Sequence, residues 1–242
     1  MLNNKNVLVN GCSFSRGPNS WPYYLQRLQQ FNLINLAQSG AGNRYIHDST
    51  ISELSRRQYD FVFIMWSGLE RIDCRVKDID FFDKSKGTSK YTHQRNDWPG
   101  KKIHPINDQD YVEKNWVFSG GVINNDSSLI GTEIFGSMYK HIGLNEFTSQ
   151  SIIHMVSLQS ILKLLNINYV FMFYQDYQEE ISKYSEYKLL DTKNIFNQQN
   201  IHTITKENNW YAEDNSHPGD QAHKIWADNL NNFLIERYAQ TN

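Results

Sequence analysis

A hydroxyl, an imidazole and a carboxylate are the groups from which an acyl-transfer site is built, and this chain carries a set split between its two ends. Ser13 lies in Asn6-Val7-Leu8-Val9-Asn10-Gly11-Cys12-Ser13-Phe14-Ser15. Val7 to Val9 is a short β-branched apolar run and predicts a buried strand. Gly11 ends it, so Ser13 falls where a nucleophile stands at the carboxyl end of a first strand. Ligands of open α/β sheets bind beyond such ends. Asp214 and His217 lie three positions apart in Asp214-Asn215-Ser216-His217-Pro218-Gly219. A serine hydroxyl is a weak nucleophile. It needs a base within hydrogen-bond reach, and the base needs an orienting group. A carboxylate three residues from an imidazole on a tight turn can orient that ring. The same turn also predicts a helix cap, with Asp214 or Ser216 capping and Pro218 in the first turn. The two roles are compatible. Ser15 is a rival nucleophile, and the Cys12 thiol reads as a small residue packed behind the loop.

The elements that must position these groups alternate between apolar runs and helical periods. Strands are expected near 6–9, 32–36, 60–66 and 168–174. Asp60-Phe61-Val62-Phe63-Ile64-Met65-Trp66 is apolar almost throughout, as a parallel strand buried on both faces is. Helices are expected from Trp21 to Leu28, from Gly42 or Asn43 to about Arg57, from Asn145 to Leu165, and from Pro218 or Gly219 to about Tyr238. In the long third helix, Ile152, Val156, Ile161 and Leu165, beside Ile153 and Leu162, are assigned to the apolar face. Gln175 to Gln199 is polar and helical in pieces, and Ile201–Ile204 reads as a short edge strand. Alternating strands and helices predict a three-layer α/β sandwich around a mainly parallel sheet. From about 72 to 134 the periodicity is lost. Loops that long inside a compact domain are uncommon unless they serve function. The expectation is one domain over 1–242, with an insertion at about 72–134 that covers the strand carboxyl ends or forms a peripheral aromatic cluster.

Taken in order, three blocks resemble those of the SGNH (GDSL-type) hydrolase family. Gly11-Cys12-Ser13 matches the Gly-Asp-Ser block with Cys12 in place of Asp. Asn35-Leu36-Ala37-Gln38-Ser39-Gly40-Ala41-Gly42-Asn43 is similar to the glycine block. Asp214 and His217 match the Asp-x-x-His block unchanged. The resemblance implies a flavodoxin-like SGNH hydrolase fold, Ser13 as nucleophile, His217 as base and Asp214 as its orienter. It implies oxyanion donors from the N–H of Ser13 and that of Gly40, with Gly42 as the alternative. It also calls for an asparagine after the third strand, and there the chain departs: Ser67-Gly68-Leu69-Glu70-Arg71 holds none. Losing one oxyanion donor costs about 10²–10³ in turnover. Asn43, Ser67 and Arg71 are the candidate substitutes. A surface or salt-bridged Arg71, beside Glu70 and Asp73, is the plainer alternative.

Composition narrows the function classes. The chain has 242 residues, 39% hydrophobic and 14% aromatic, with a net charge of -2. That balance supplies a core but no basic footprint for nucleic acid. No run approaches the roughly 18 apolar residues of a membrane span. Met1 to Lys5 lacks a signal-peptide core. The location expected is cytoplasmic, or that of a phage-encoded protein, and the Asn-, Ile- and Lys-rich composition fits an AT-rich genome. Two cysteines make no disulfide framework, and no Cys/His spacing predicts a metal site or a cofactor. The first functional expectation is an esterase or O-deacetylase acting on a small-molecule or glycan ester. The second is a weak or inactive binding protein of the same fold. A nucleotide-binding protein is disfavoured, because Gly11 to Gly17 matches no phosphate-binding pattern. The sequence leaves the oligomeric state open.

Overall fold

In a computed structural model of the chain, residues 1–75, 116–119 and 129–239 are described. Four strands form one parallel sheet: β1 (Asn6–Asn10), β2 (Asn32–Asn35), β3 (Phe61–Trp66) and β6 (Asn168–Phe173), in the order β2-β1-β3-β6. Val7 to Val9 pair with Phe61 to Phe63, as their apolar runs predict, and Phe61 to Trp66 pair with Asn168 to Phe173. Every residue of β3 is buried. Fully burying a side chain such as Phe63 or Ile64 contributes about 1.5–3 kcal/mol before the entropy of ordering it.

The strand order decides where the helices go. The chain steps from β1 to β2 on one side, then returns past β1 to β3 on the other. Right-handed crossovers then put the two connecting helices on opposite faces. The first is α1 (Trp21–Gln29), which packs with the C-terminal helix α7 (Asp220–Ala239). The rings of Trp21 and Trp226 meet there at 5.0 Å. The second is α2 (Asn43–Leu54), which packs with α4 (Leu144–Leu164). The reversal falls at β1 and β3, so the crevice opens beyond their carboxyl ends.

Two expectations change. Ile201–Ile204 is not an edge strand but the start of a helix, α6 (Ile201–Asn208). The Asn200 side chain accepts the Thr203 N–H and caps it, and Ile201, Ile204 and Thr205 are buried at helical spacing. The last helix turn then closes on Asn209 in the left-handed region, φ 55°. Four residues are too few to separate a period of 2 from one of 3.6. The apolar face of α4 is also rotated from the one expected. Ile152, Met155, Leu158 and Leu162 are buried, while Ile153 and Leu165 are about half exposed. Apolar residues surround much of this helix, and contact with α2 selects which of them turn inward.

The insertion expected at 72–134 falls largely on 76–115 and 120–128, outside the described residues. Its described parts are a two-stranded antiparallel ladder, β4 (Asp73–Arg75) with β5 (Trp116–Phe118), and helix α3 (Leu129–His141). Trp116 and Phe118 set their rings against Tyr45 of α2 at 5.6 and 5.1 Å. Phe135 of α3 joins Ile72 and Phe147 in a small separate cluster. Between β6 and α6 the polar stretch makes short helical pieces, including α5 (Gln178–Ile181).

Candidate active site

β1 delivers Ser13 to the carboxyl edge through a turn that tolerates little change. Asn10 Oδ1 accepts the Gly11 N–H, and Asn10 Nδ2 donates to Ile46 O, Ser49 Oγ and Thr50 Oγ1, which ties the strand end to α2. A Cβ at Gly11 would meet Ser15 Oγ at 2.6 Å and Met65 O at 3.1 Å. Ser13 then opens a single 3-10 turn, Ser13–Ser15. Ser15 is fully buried, and its Oγ accepts the Trp21 Nε1–H at 3.0 Å. Ser15 therefore serves the core, and the rival nucleophile is removed from the crevice. Cys12 is a free thiol, fully buried.

The loop before α7 delivers His217. It is closed by Ala212 N–H to His217 O and by Gly219 N–H to Trp210 O, both 2.8 Å. Asp214 Oδ1 accepts the N–H groups of Ser216 and His217 at 2.9 Å each. This Asx-type turn aims the other carboxylate oxygen at the ring: Oδ2 lies 2.5 Å from His217 Nδ1. His217 Nε2 lies 2.9 Å from Ser13 Oγ. Burial raises the Asp214 pKa, but the His217 and Ser216 N–H groups and the imidazole outweigh it and hold the carboxyl well below the usual carboxylate range. With Asp214 ionised, the proton belongs on Nδ1, which leaves the Nε2 lone pair facing the Ser13 hydroxyl. An imidazole so placed can take a hydroxyl proton. The Phe14 ring stands 5.6 Å from the His217 ring and 4.7 Å from that of Tyr174, just past β6. His223, on α7, is not part of this arrangement. It is buried, its Nδ1 accepts the Trp21 N–H at 3.3 Å, and burial with the nearby His217 pushes its pKa down to about 4.

The candidate oxyanion groups separate. Gly40 has φ 78°, a conformation glycine adopts without strain, in the loop after β2. Neither its N–H nor that of Ser13 has a hydrogen-bond partner among the described residues. Asn43 turns away from the crevice. It is buried, its Oδ1 accepts the Ser67 N–H at 2.8 Å, and its Nδ2 donates to Ser151 Oγ and the carbonyls of Ser67 and Gly68. Its donors are spent joining α2, β3 and α4. Ser67 is fully buried, and its Oγ accepts from Arg71 Nη1 at 2.9 Å. Arg71 Nη1 also donates to Ala41 O at 3.2 Å, and its guanidinium lies 5.9 Å from the Tyr174 ring centroid. Burial disfavours the Arg71 charge, yet Cys12, Tyr174, Glu70 and Tyr177 hold its pKa above the ordinary value. Burial pushes the phenol of Tyr174 up, and burial with the neighbouring Tyr174 pushes that of Tyr177 up further.

Asp73, which the sequence offered only as a neighbour of Arg71, holds the start of α2. It is buried, and its two oxygens accept the N–H groups of Gly42 and Tyr45 at 2.9 Å each. Gly42 caps α2 but has no side chain with which to do so, and Asp73 supplies the missing acceptor from β4. A Cβ at Gly42 would meet the Asp73 carboxylate at 2.8 Å. The one signal in the sequence is a carboxylate between Ile72 and Cys74. Burial, offset in part by Tyr45 N–H, Gly42 N–H and Arg71, pushes the Asp73 pKa up from 3.8 to about 7. Between those values the unfolded chain is ionised there while the folded chain keeps its proton, so this group withdraws stability as pH rises. Asp73→Asn removes that titration. Its stability relative to the native chain is expected to rise between about pH 4 and pH 7, measured from urea midpoints at several pH values; a difference independent of pH contradicts this.

No protein-family model matches the chain, and no curated protein does. Solved structures match along its whole length. The psychrotrophic esterase EstA from Pseudoalteromonas sp. aligns over 98% of this chain and 100% of its own, at 11% identity and a TM-score of 0.51. The acetylxylan esterase Axe2 from Geobacillus stearothermophilus aligns over 95% and 94%, at 15% identity and a TM-score of 0.50. The chain is thus a three-layer α/β protein built on a parallel sheet. Its fold is the SGNH (GDSL-type) hydrolase fold. No group of three His, Cys, Asp or Glu side chains is placed to hold a metal ion, and no helix is long and apolar enough to cross a membrane, among the described residues.

Proposed function

We propose that the chain is a carboxylic-ester hydrolase that works through Ser13, His217 and Asp214. The observation that carries this is the pair of contacts made by one imidazole: 2.9 Å to Ser13 Oγ and 2.5 Å to Asp214 Oδ2. Ser13 Oγ attacks the ester carbonyl carbon while its proton passes to His217 Nε2. The carbonyl π pair moves to oxygen and forms the tetrahedral oxyanion, which the N–H groups of Ser13 and Gly40 meet. The pair returns, the alcohol leaves with the proton from Nε2, and an acyl-serine remains. Water then repeats the sequence, giving the acid and free Ser13. Asp214 stays ionised and stabilises the imidazolium.

An O-acylated glycan is the substrate class to test first. One protein of this fold is an acetylxylan esterase. The EstA structure is of an enzyme inhibited by monoethylphosphonate, so an organophosphonate is a suitable probe. A fluorophosphonate is expected to label the native chain once, at Ser13, as located by peptide mass spectrometry, and to leave Ser13→Ala unlabelled. A native chain that takes no label is a binding protein of this fold rather than a hydrolase.

A further inference from the structure

We propose that Arg71 is the third oxyanion donor, in place of the asparagine that the sequence resemblance calls for. The proposal rests on the hydrolase function of the same site. Its place is set by topology: β1 and β3 are neighbours at the reversal of strand order, so the Ser13 turn and the Ser67–Arg71 segment leave the sheet side by side. The Arg71 side chain then reaches from the segment after β3 to the loop after β2. Nη1 is anchored to Ala41 O in the loop that carries Gly40, and to Ser67 Oγ at the end of β3. The guanidinium faces the Tyr174 ring, whose other neighbour is Phe14, the residue after Ser13.

Two observations separate this from a structural arginine. Arginine has five N–H donors; Nη1 uses two, and Nε and Nη2 have no partner among the described residues. The cation also has no carboxylate within ion-pair distance among those residues. Asp73 spends both oxygens on the N–H groups of Gly42 and Tyr45. The Glu70 carboxylate folds over Gly68, where an added Cβ would meet it at 2.6 Å. Glu70 favours the Arg71 charge without pairing with it, and a charge-matched acceptor for Nε and Nη2 arrives with the reaction, as the oxyanion of the tetrahedral intermediate. A donor matched to charge that exists only in the transition state raises turnover rather than affinity.

The test is Arg71→Met and Arg71→Gln, assayed with a neutral aryl acetate and an aryl hemisuccinate, with melting temperature and circular dichroism alongside. Arg71→Met is expected to lose about 10²–10³ in kcat on both esters, with KM within about threefold. Fluorophosphonate labelling of Ser13 is expected to slow in parallel, because the phosphonyl oxygen takes the same donors. Arg71→Gln, which returns a neutral donor, is expected to recover part of the loss. A kcat within threefold of native on the neutral ester overturns the assignment. So does a loss confined to KM for the hemisuccinate, which makes Arg71 an anchor for substrate charge. Should Arg71→Met not fold, Arg71→Ala removes every donor with a smaller side chain, and a kcat within threefold of native there overturns the proposal equally. Native protein that neither labels nor hydrolyses either ester rejects the hydrolase function itself, a result distinct from the failure of Arg71 alone.

Discussion

On the proposed mechanism, Ser13→Ala is expected to abolish hydrolysis of short-chain aryl esters and to leave the fold intact, the largest effect expected of any single change here. Among the described residues the Ser13 hydroxyl has one hydrogen-bond partner, His217 Nε2 at 2.9 Å. Removing it leaves no buried donor or acceptor stranded, so the change in stability is expected to stay within about 0.5 kcal/mol. The rate, in contrast, loses its nucleophile. Removing the serine of a Ser-His-Asp site costs about 10⁶ in kcat, and oxyanion donors and binding retain only about 10³–10⁴ over water. Initial rates with a p-nitrophenyl ester and a thermal melt of both proteins measure the two sides. Activity surviving the change excludes Ser13. Ser15 does not then take over, because its Oγ is buried under Trp21 Nε1.

Asp214→Asn comes next, with an expected loss of about 10⁴ in kcat. The asparagine keeps an oxygen for the N–H groups of Ser216 and His217, so the loop geometry is retained. What changes is the group facing His217 Nδ1. An amide N–H cannot accept from the ring, so the imidazole turns to the tautomer whose Nε2 carries the proton and cannot take another from Ser13. The native carboxyl is held below the usual carboxylate range, so its contribution is present above the unfolded pKa of 3.8 and is lost only as pH falls through the lower folded value. Native activity between pH 5 and pH 8 therefore carries no titration of Asp214, whereas Asp214→Asn is impaired across that whole interval. A variant within tenfold of native anywhere in that range removes Asp214 from the mechanism.

The fold and the three chemical groups were legible in the sequence because each rests on local order. Val7 to Val9 and Phe61 to Trp66 are continuous apolar runs, and a strand covered on both faces needs nothing else to declare itself. Ser13 and the Asp214–His217 pair are each placed by turns of a few residues, and a parallel sheet sends the loops after its strands to one edge. Local order was too short for Ile201–Ile204, where the Asn200 cap and burial against the core decided for helix. It was too uniform for α4, where contact with α2 chose Met155 and Leu158 over Ile153 and Leu165.

The oxyanion candidates could not be separated in the sequence at all. Asn43, Ser67 and Arg71 are equally polar there, and each side chain's availability depends on partners far along the chain. Asn43 is taken by Ser67, Gly68 and Ser151, and Gly42 by Asp73, across separations of 24, 25, 108 and 31 residues. Hydrogen bonds over such distances follow from strand order and helix packing, which no periodicity encodes. The sequence by itself determined the sheet and the edge at which Ser13, His217 and Asp214 meet. Only the tertiary structure decided which polar side chains at that edge are already satisfied and which, like the Nε and Nη2 donors of Arg71, have no partner among the described residues.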